Sequence, residues 1–140
     1  MTPKIPHHAI LASSQGCRIP EIYRSRVLPA NTRTIRLLGK KTNARILTTL
    51  LGYEVQASYK RIQCPDLVTA QYLRVFSELG CHSIKLPYDP TLTSELVPGL
   101  EAALAELAES VRRLFPAQPR LQSYVLRKIY SILRRQLRAG

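Results

Sequence analysis

Residues 43–62 read NARILTTLLGYEVQASYKRI, and the fold turns on how this stretch is divided. One division places a helix over Ala44–Leu51, capped by Thr42 or Asn43, whose side chains can accept from the first free backbone N–H groups. Gly52 then stands just past the helix end, where positive φ is wanted. Beyond it Tyr53, Val55, Ala57 and Tyr59 alternate with polar residues, the period of a half-buried strand. The other division takes Ile46, Leu47, Leu50, Leu51, Val55, Tyr59 and Ile62 as one helical face, which makes the chain mainly α. It carries Gly52 inside the helix at a cost of about 1 kcal/mol.

The flanks favour the first division. Upstream, Thr34–Leu38 alternates Ile35 and Leu37 with polar neighbours and reads as a short strand, followed by a Gly39–Asn43 loop. Downstream, Cys64-Pro65-Asp66 opens a helix with Val68, Tyr72, Val75, Phe76 and Leu79 on one face. Gly80 ends that helix and Cys81–Leu86 reads as another strand. The order β-α-β-α-β predicts an α/β fold with a small three-stranded, mostly parallel sheet joined by right-handed crossovers.

The C-terminal third is helical. Leu96, Leu100, Leu104, Leu107, Val111 and Leu114 recur at three and four, from a first turn near Ser94 or Pro98. Pro116 and Pro119 stop this helix, and a last one runs from Arg120 to Arg138, giving an αα-hairpin over residues 92–138. Residues 1–33 read as an extended basic arm, interrupted by Pro3, Pro6, Pro20 and Pro29 and loosened by Ser13, Ser14 and Gly16. Residues 34–140 are read as a single α/β domain.

Composition bounds the function. The hydrophobic fraction of 45% excludes wholesale disorder, and no apolar run reaches the roughly 18 residues of a membrane-spanning helix. Three widely spaced cysteines make no disulfide framework. The N-terminus has no apolar signal core; it is Arg-containing and acid-poor, which also suits an organelle transit peptide, and a cytoplasmic location is the default expectation. The 140 residues carry 21 Lys+Arg against 9 Asp+Glu, a formal charge of +12. That charge is segregated: residues 1–62 carry +9, residues 63–110 carry −5, and residues 111–140 carry +8 with no acid. Clustered cations of this kind serve a polyanion, through release of its condensed counterions, or match an acidic protein. A membrane surface is the less favoured target.

Two candidate sites follow. On the last helix Arg120, Arg127, Arg134 and Arg138 fall within about 40° of one another, with Lys128 and Arg135 on the same side and Tyr124 among them. Leu121, Val125, Leu126, Ile129, Ile132, Leu133 and Leu137 fill the opposite arc. A solvated face normally mixes Glu with Lys, and this one has no acid; Tyr124 could stack on an unpaired base. The second candidate is Gly39, Lys40, Lys41, Thr42 and Asn43, expected to hold a phosphate on backbone N–H groups at a helix N-terminus. It lacks the Walker A spacing, which argues against a nucleotide hydrolase.

The remaining residues carry less. Cys64, Cys81, His82, His7, His8 and Cys17 show no zinc spacing, and Cys64 beside a helix N-terminus is the one thiol placed for a lowered pKa. Glu54 lacks the second carboxylate of a nuclease sheet. Tyr53, Val55, Ala57 and Tyr59 share a face suited to the core, or to stacking RNA bases if exposed. No catalytic set, metal or cofactor is expected. The expected function is non-catalytic nucleic-acid binding, with RNA or a ribonucleoprotein ahead of DNA. The alternative is an assembly or regulatory factor that docks its basic faces on an acidic protein.

Overall fold

The computed structural model describes residues 7–139, so Pro3, Lys4 and Pro6 of the expected arm lie outside the described residues. The stretch that decides the fold is neither of its two readings. Residues Ala44–Thr49 form a strand, β2, followed by β3 (Gly52–Ala57) and β4 (Lys60–Cys64) in an antiparallel meander. The register explains why. Ile46 lies opposite Val55 and Val55 opposite Ile62, so the residues that mimicked a helical face line up across three strands. Leu50 and Leu51, counted as part of that face, sit at the β2–β3 turn and are 105% and 82% exposed. Gly52 has φ +130° at this turn, and a Cβ there would come within 2.8 Å of the Cys64 carbonyl oxygen. Its role is a hairpin, not a helix end.

The parallel sheet is likewise corrected. Strand β1 (Thr32–Arg36) pairs antiparallel with β5 (Ser83–Pro87), apart from the meander. Once residues 44–49 are a strand, the hairpin turns leave no crossover between β2 and β3, and antiparallel pairing follows from the short connection. The result is a fold of mixed helices and two antiparallel sheets.

Helix α3 (Leu67–Leu79) begins and ends where its sequence signals stand. The Asp66 carboxylate accepts from the Thr69 N–H at 2.7 Å, and Gly80 closes the helix at φ +85°. It packs on all three strands of the meander and on helix α4 (Pro90–Leu114), with Tyr72, Leu73, Phe76 and Leu79 fully buried. Helix α4 starts earlier than its leucine repeat implies, because Asp89 caps Thr91 N–H at 2.9 Å with Pro90 in the first turn. Pro98 is therefore interior. Helix α5 (Pro119–Ala139) packs against α4, α3 and the N-terminal segment.

That segment is not an extended arm. It forms α1 (His7–Gln15) and α2 (Ile19–Ile22), the latter continuing into a π-helical turn over Tyr23–Val27. Ile10, Ile19, Tyr23 and Val27 are buried in the same core as α4 and α5. Pro20 is tolerated because it stands in the first turn of α2, where no intrahelical donor is lost.

Two tyrosines fix β5. Tyr88 N–H donates to Asn31 and Leu37 N–H to His82, so hydrogen-bonded pairs fall on alternate residues and the Lys85 backbone turns away from β1. There Lys85 N–H donates to the Tyr23 hydroxyl at 3.0 Å, and the Tyr72 hydroxyl donates to the Lys85 carbonyl at 2.6 Å. Both rings pack on Phe76, at 5.8 and 4.9 Å between centroids.

Candidate nucleic-acid interface

The β1–β5 ribbon has one buried and one open face. Ile84 and Leu86 point into the core, so the pleat turns Ser83 and Lys85 outward, opposite Arg36 and Thr34. Lys85 Nζ donates to Thr34 Oγ1 at 2.7 Å. This outer face borders an open cleft of about 620 Å³, walled on the far side by Arg134, Leu137 and Arg138 from the last turns of α5. Gly39, Gly80, Cys81 and His82 close one end, and Tyr23 and Leu28 complete the lining. None of the lining residues is acidic.

The end wall depends on close backbone approach. A Cβ on Gly80 would sit 2.5 Å from Lys41 N and 2.7 Å from Lys40 C, so the loop after β1 rests directly on the end of α3. Arg134 reaches the same place and donates to the Leu79 carbonyl at 2.6 Å, where the helix dipole favours a cation. It is a structural cap as well as a cleft residue. Burial pushes the Cys81 thiol up to about 12, against the pull of the neighbouring Arg134 and Arg138.

The other cations on α5 are more open. Arg120, Arg127, Lys128, Arg135 and Arg138 are exposed, while Val125, Ile129, Leu133 and Leu137 are buried. Three ion pairs occur among the described residues: Arg26–Glu95, Arg74–Glu101 and Arg112–Glu109. None uses a cation of α5. Tyr124 is half-buried, with Lys128 Nζ 5.4 Å from its ring centroid.

The Gly39–Asn43 loop differs from expectation. It precedes a strand, so no helix N-terminus stands behind it and the dipole argument for a bound phosphate fails. Its residues also diverge. Gly39 lines the cleft, Lys40 is exposed with Nζ 6.0 Å from the Tyr59 ring, and Lys41 turns inward to 5.9 Å from the Tyr130 ring. Lys41 also faces Glu78, whose carboxyl is raised by burial against the opposing pull of Arg74, the Ala44 backbone and Lys41. The Thr42 hydroxyl reaches only the Asn43 carbonyl, at 3.5 Å, and Asn43 is exposed away from the cleft lining.

Lys85, Ser83, Thr34 and His82 were not legible as site residues, because Lys85 counts in the acidic middle of the chain. Their signal is the alternation Ser83-Ile-Lys-Leu, which sends Ser83 and Lys85 to the open face of a strand. Tyr59, at 79% exposure in the β3–β4 turn, leaves the core face to Val55 and Ala57 and becomes the open aromatic.

The weaker candidates separate. Cys64 precedes α3 and Cys81 follows it, so the 13-residue helix holds them about 20 Å apart. Burial pushes the Cys64 thiol up to about 11, with Asp66 adding to it, which opposes thiolate chemistry. Among the described residues no group of three or more His, Cys, Asp or Glu could hold a metal, and the side chains of His7 and His8 lie outside them. Glu54 stands between Leu47 and Gln63, without a second carboxylate. No described helix is long and apolar enough to cross a membrane. Comparison with protein-family models, with curated proteins and with solved structures finds no match for this chain.

Proposed function

We propose that this chain is a non-catalytic nucleic-acid-binding protein that prefers single-stranded RNA. The observation that carries the reading is the acid-free stripe of exposed cations on α5, Arg120, Arg127, Lys128, Arg135 and Arg138, none of them ion-paired among the described residues. A solvated face built for stability alone gains from interspersed acids; this stripe forgoes them, which suits a ligand that brings its own negative charge. It ends at the cleft, where Lys85 and Arg134 extend it. Preference for RNA rests on Tyr59 beside Lys40, an exposed ring with a cation near it that suits an unpaired base.

The test is titration of fluorescein-labelled single-stranded RNA and duplex DNA at two salt concentrations. Binding at low salt that weakens steeply with added salt, and is lost on joint replacement of Arg127, Arg135 and Arg138 by Ala, supports the reading. No binding at low salt, or binding indifferent to the triple variant, overturns it. An acidic protein that stays bound through nuclease treatment would transfer the basic stripe to that partner instead.

A further inference from the structure

We infer that the cleft between the β1–β5 ribbon and the end of α5 is a phosphomonoester site, taking the terminal nucleotide of a strand or a free nucleoside monophosphate. The inference deepens the reading of the chain as an RNA-binding protein and rests on it for the strand-end source alone. Its basis is the concentration of charge. Lys85, Arg134 and Arg138 line one cleft of about 620 Å³ with no acid among the lining residues. Arg36 stands on the same ribbon face, opposite Ser83.

A phosphodiester carries one negative charge and would leave most of this cation set uncompensated. A phosphomonoester carries about −1.5 to −2 at neutral pH and offers three acceptor oxygens. The donors are of the right kind. Arg134 spends one N–H on the Leu79 carbonyl, and a guanidinium has further donors to offer. Lys85 is held by its backbone between Tyr23 and Tyr72, and its ammonium already rests on the Thr34 hydroxyl, so the charge is placed before a ligand arrives.

The volume and lining complete the match. About 620 Å³ falls within the usual range for a small-molecule site and leaves room for more than inorganic phosphate. Leu28 and Leu137 offer an apolar wall for a sugar edge or base, with the Thr34 and Ser83 hydroxyls near the ribbon floor. The α5 stripe, by contrast, presents cations spaced along a surface, which suits successive diesters. One molecule thus has a track for the chain and a socket for its end.

The experiment compares RNA oligonucleotides of one sequence bearing a 5′-phosphate, a 3′-phosphate or hydroxyls at both ends, and adenosine 5′-monophosphate as a free ligand. Lys85→Met, which keeps the stem and removes the charge, is run beside the wild type, with melting curves to confirm folding. The expected result is roughly tenfold tighter binding of one end-phosphorylated oligonucleotide than of the hydroxyl form, abolished by Lys85→Met. The hydroxyl oligonucleotide, which meets Lys85 only where the α5 track ends, should lose much less affinity to Lys85→Met than the end-phosphorylated form. Binding of the monophosphate with no end preference supports the site and assigns it to the free nucleotide, even if RNA binding itself fails. Equal affinity for all three oligonucleotides together with no binding of the monophosphate overturns the inference while leaving the α5 track intact.

Discussion

At residue scale the tightest constraint is Gly80. It combines φ +85° with a loop backbone lying where a Cβ would be. Gly80→Ala should therefore cost about 3 kcal/mol, from left-handed strain plus overpacking against atoms that cannot rotate away. Urea denaturation measures it, and a loss below about 1 kcal/mol would show that the loop can give way. The Tyr72 hydroxyl makes a second prediction. It donates to the Lys85 carbonyl, and burial raises its pKa well above the ordinary tyrosine range. Tyr72→Phe should cost about 1–2 kcal/mol by leaving that carbonyl unsatisfied, with the phenyl ring still filling the core. Gly80 as a helix end was legible in the sequence, since Gly after an amphipathic run has a local cause. The partner it touches was not, because the loop–helix contact joins residues 40 positions apart in the chain.

At element scale the meander shows where periodicity misleads. Leu47, Leu51, Val55, Tyr59 and Ile62 suggest one helical face because each follows the last by four or three residues, close to one helical turn. The β-branched Ile46, Thr48, Thr49, Val55 and Ile62 were the counter-signal, and Leu50-Leu51 at a hairpin tip supplied false helical weight. Helices α3 and α5 were legible because their boundaries and apolar faces agree, whereas Pro20 concealed a helix that begins at Ile19. Helix α4 carries Pro98-Gly99 in its interior, and a Cβ on Gly99 would meet Ile22 Cδ1 at 3.5 Å, ordinary contact. Gly99→Ala should accordingly raise stability by about 0.5–1 kcal/mol, read from the thermal midpoint; destabilisation would mean that α2 cannot accommodate the methyl group.

The thiols flanking α3 give a pH dependence. Cys64 and Cys81 hold their protons up to about 11 and 12 in the folded chain, against about 9 when exposed. The unfolded chain ionises first, so their contribution is intact below pH 9 and is lost as pH rises through 9 to 12. The double variant Cys64→Ala, Cys81→Ala should start less stable yet lose less of its urea midpoint on passing from pH 8 to pH 10. A parallel loss in both proteins would place the alkaline sensitivity elsewhere.

At the scale of the whole molecule, the sequence counts charge by segment, but the fold assigns it by surface. Lys85 leaves the acidic middle to join the basic cleft, and Lys41 leaves the basic loop to lie beside Glu78 and Tyr130. The α5 stripe was legible because a single helix sets its own geometry; the cleft was not, since it assembles the ribbon, the end of α3 and the end of α5. The salt dependence follows from this surface. For single-stranded RNA the log–log slope of affinity against salt should be shallower by about 0.7 for each of Arg127, Arg135 and Arg138 replaced by Ala. Arg112→Ala, which removes a cation already paired with Glu109, should leave the slope unchanged.

The clamp on Lys85 also decides how the molecule behaves in company. A two-stranded ribbon ordinarily offers its second edge to any passing strand, its own copy included. Here the edge is occupied at its midpoint by the Tyr23 and Tyr72 hydroxyls, one accepting and one donating as a neighbouring strand would. An incoming strand would have to evict two buried rings that are packed on Phe76, so the β5 edge is closed to growth and templated aggregation from β5 is blocked without a single added charge.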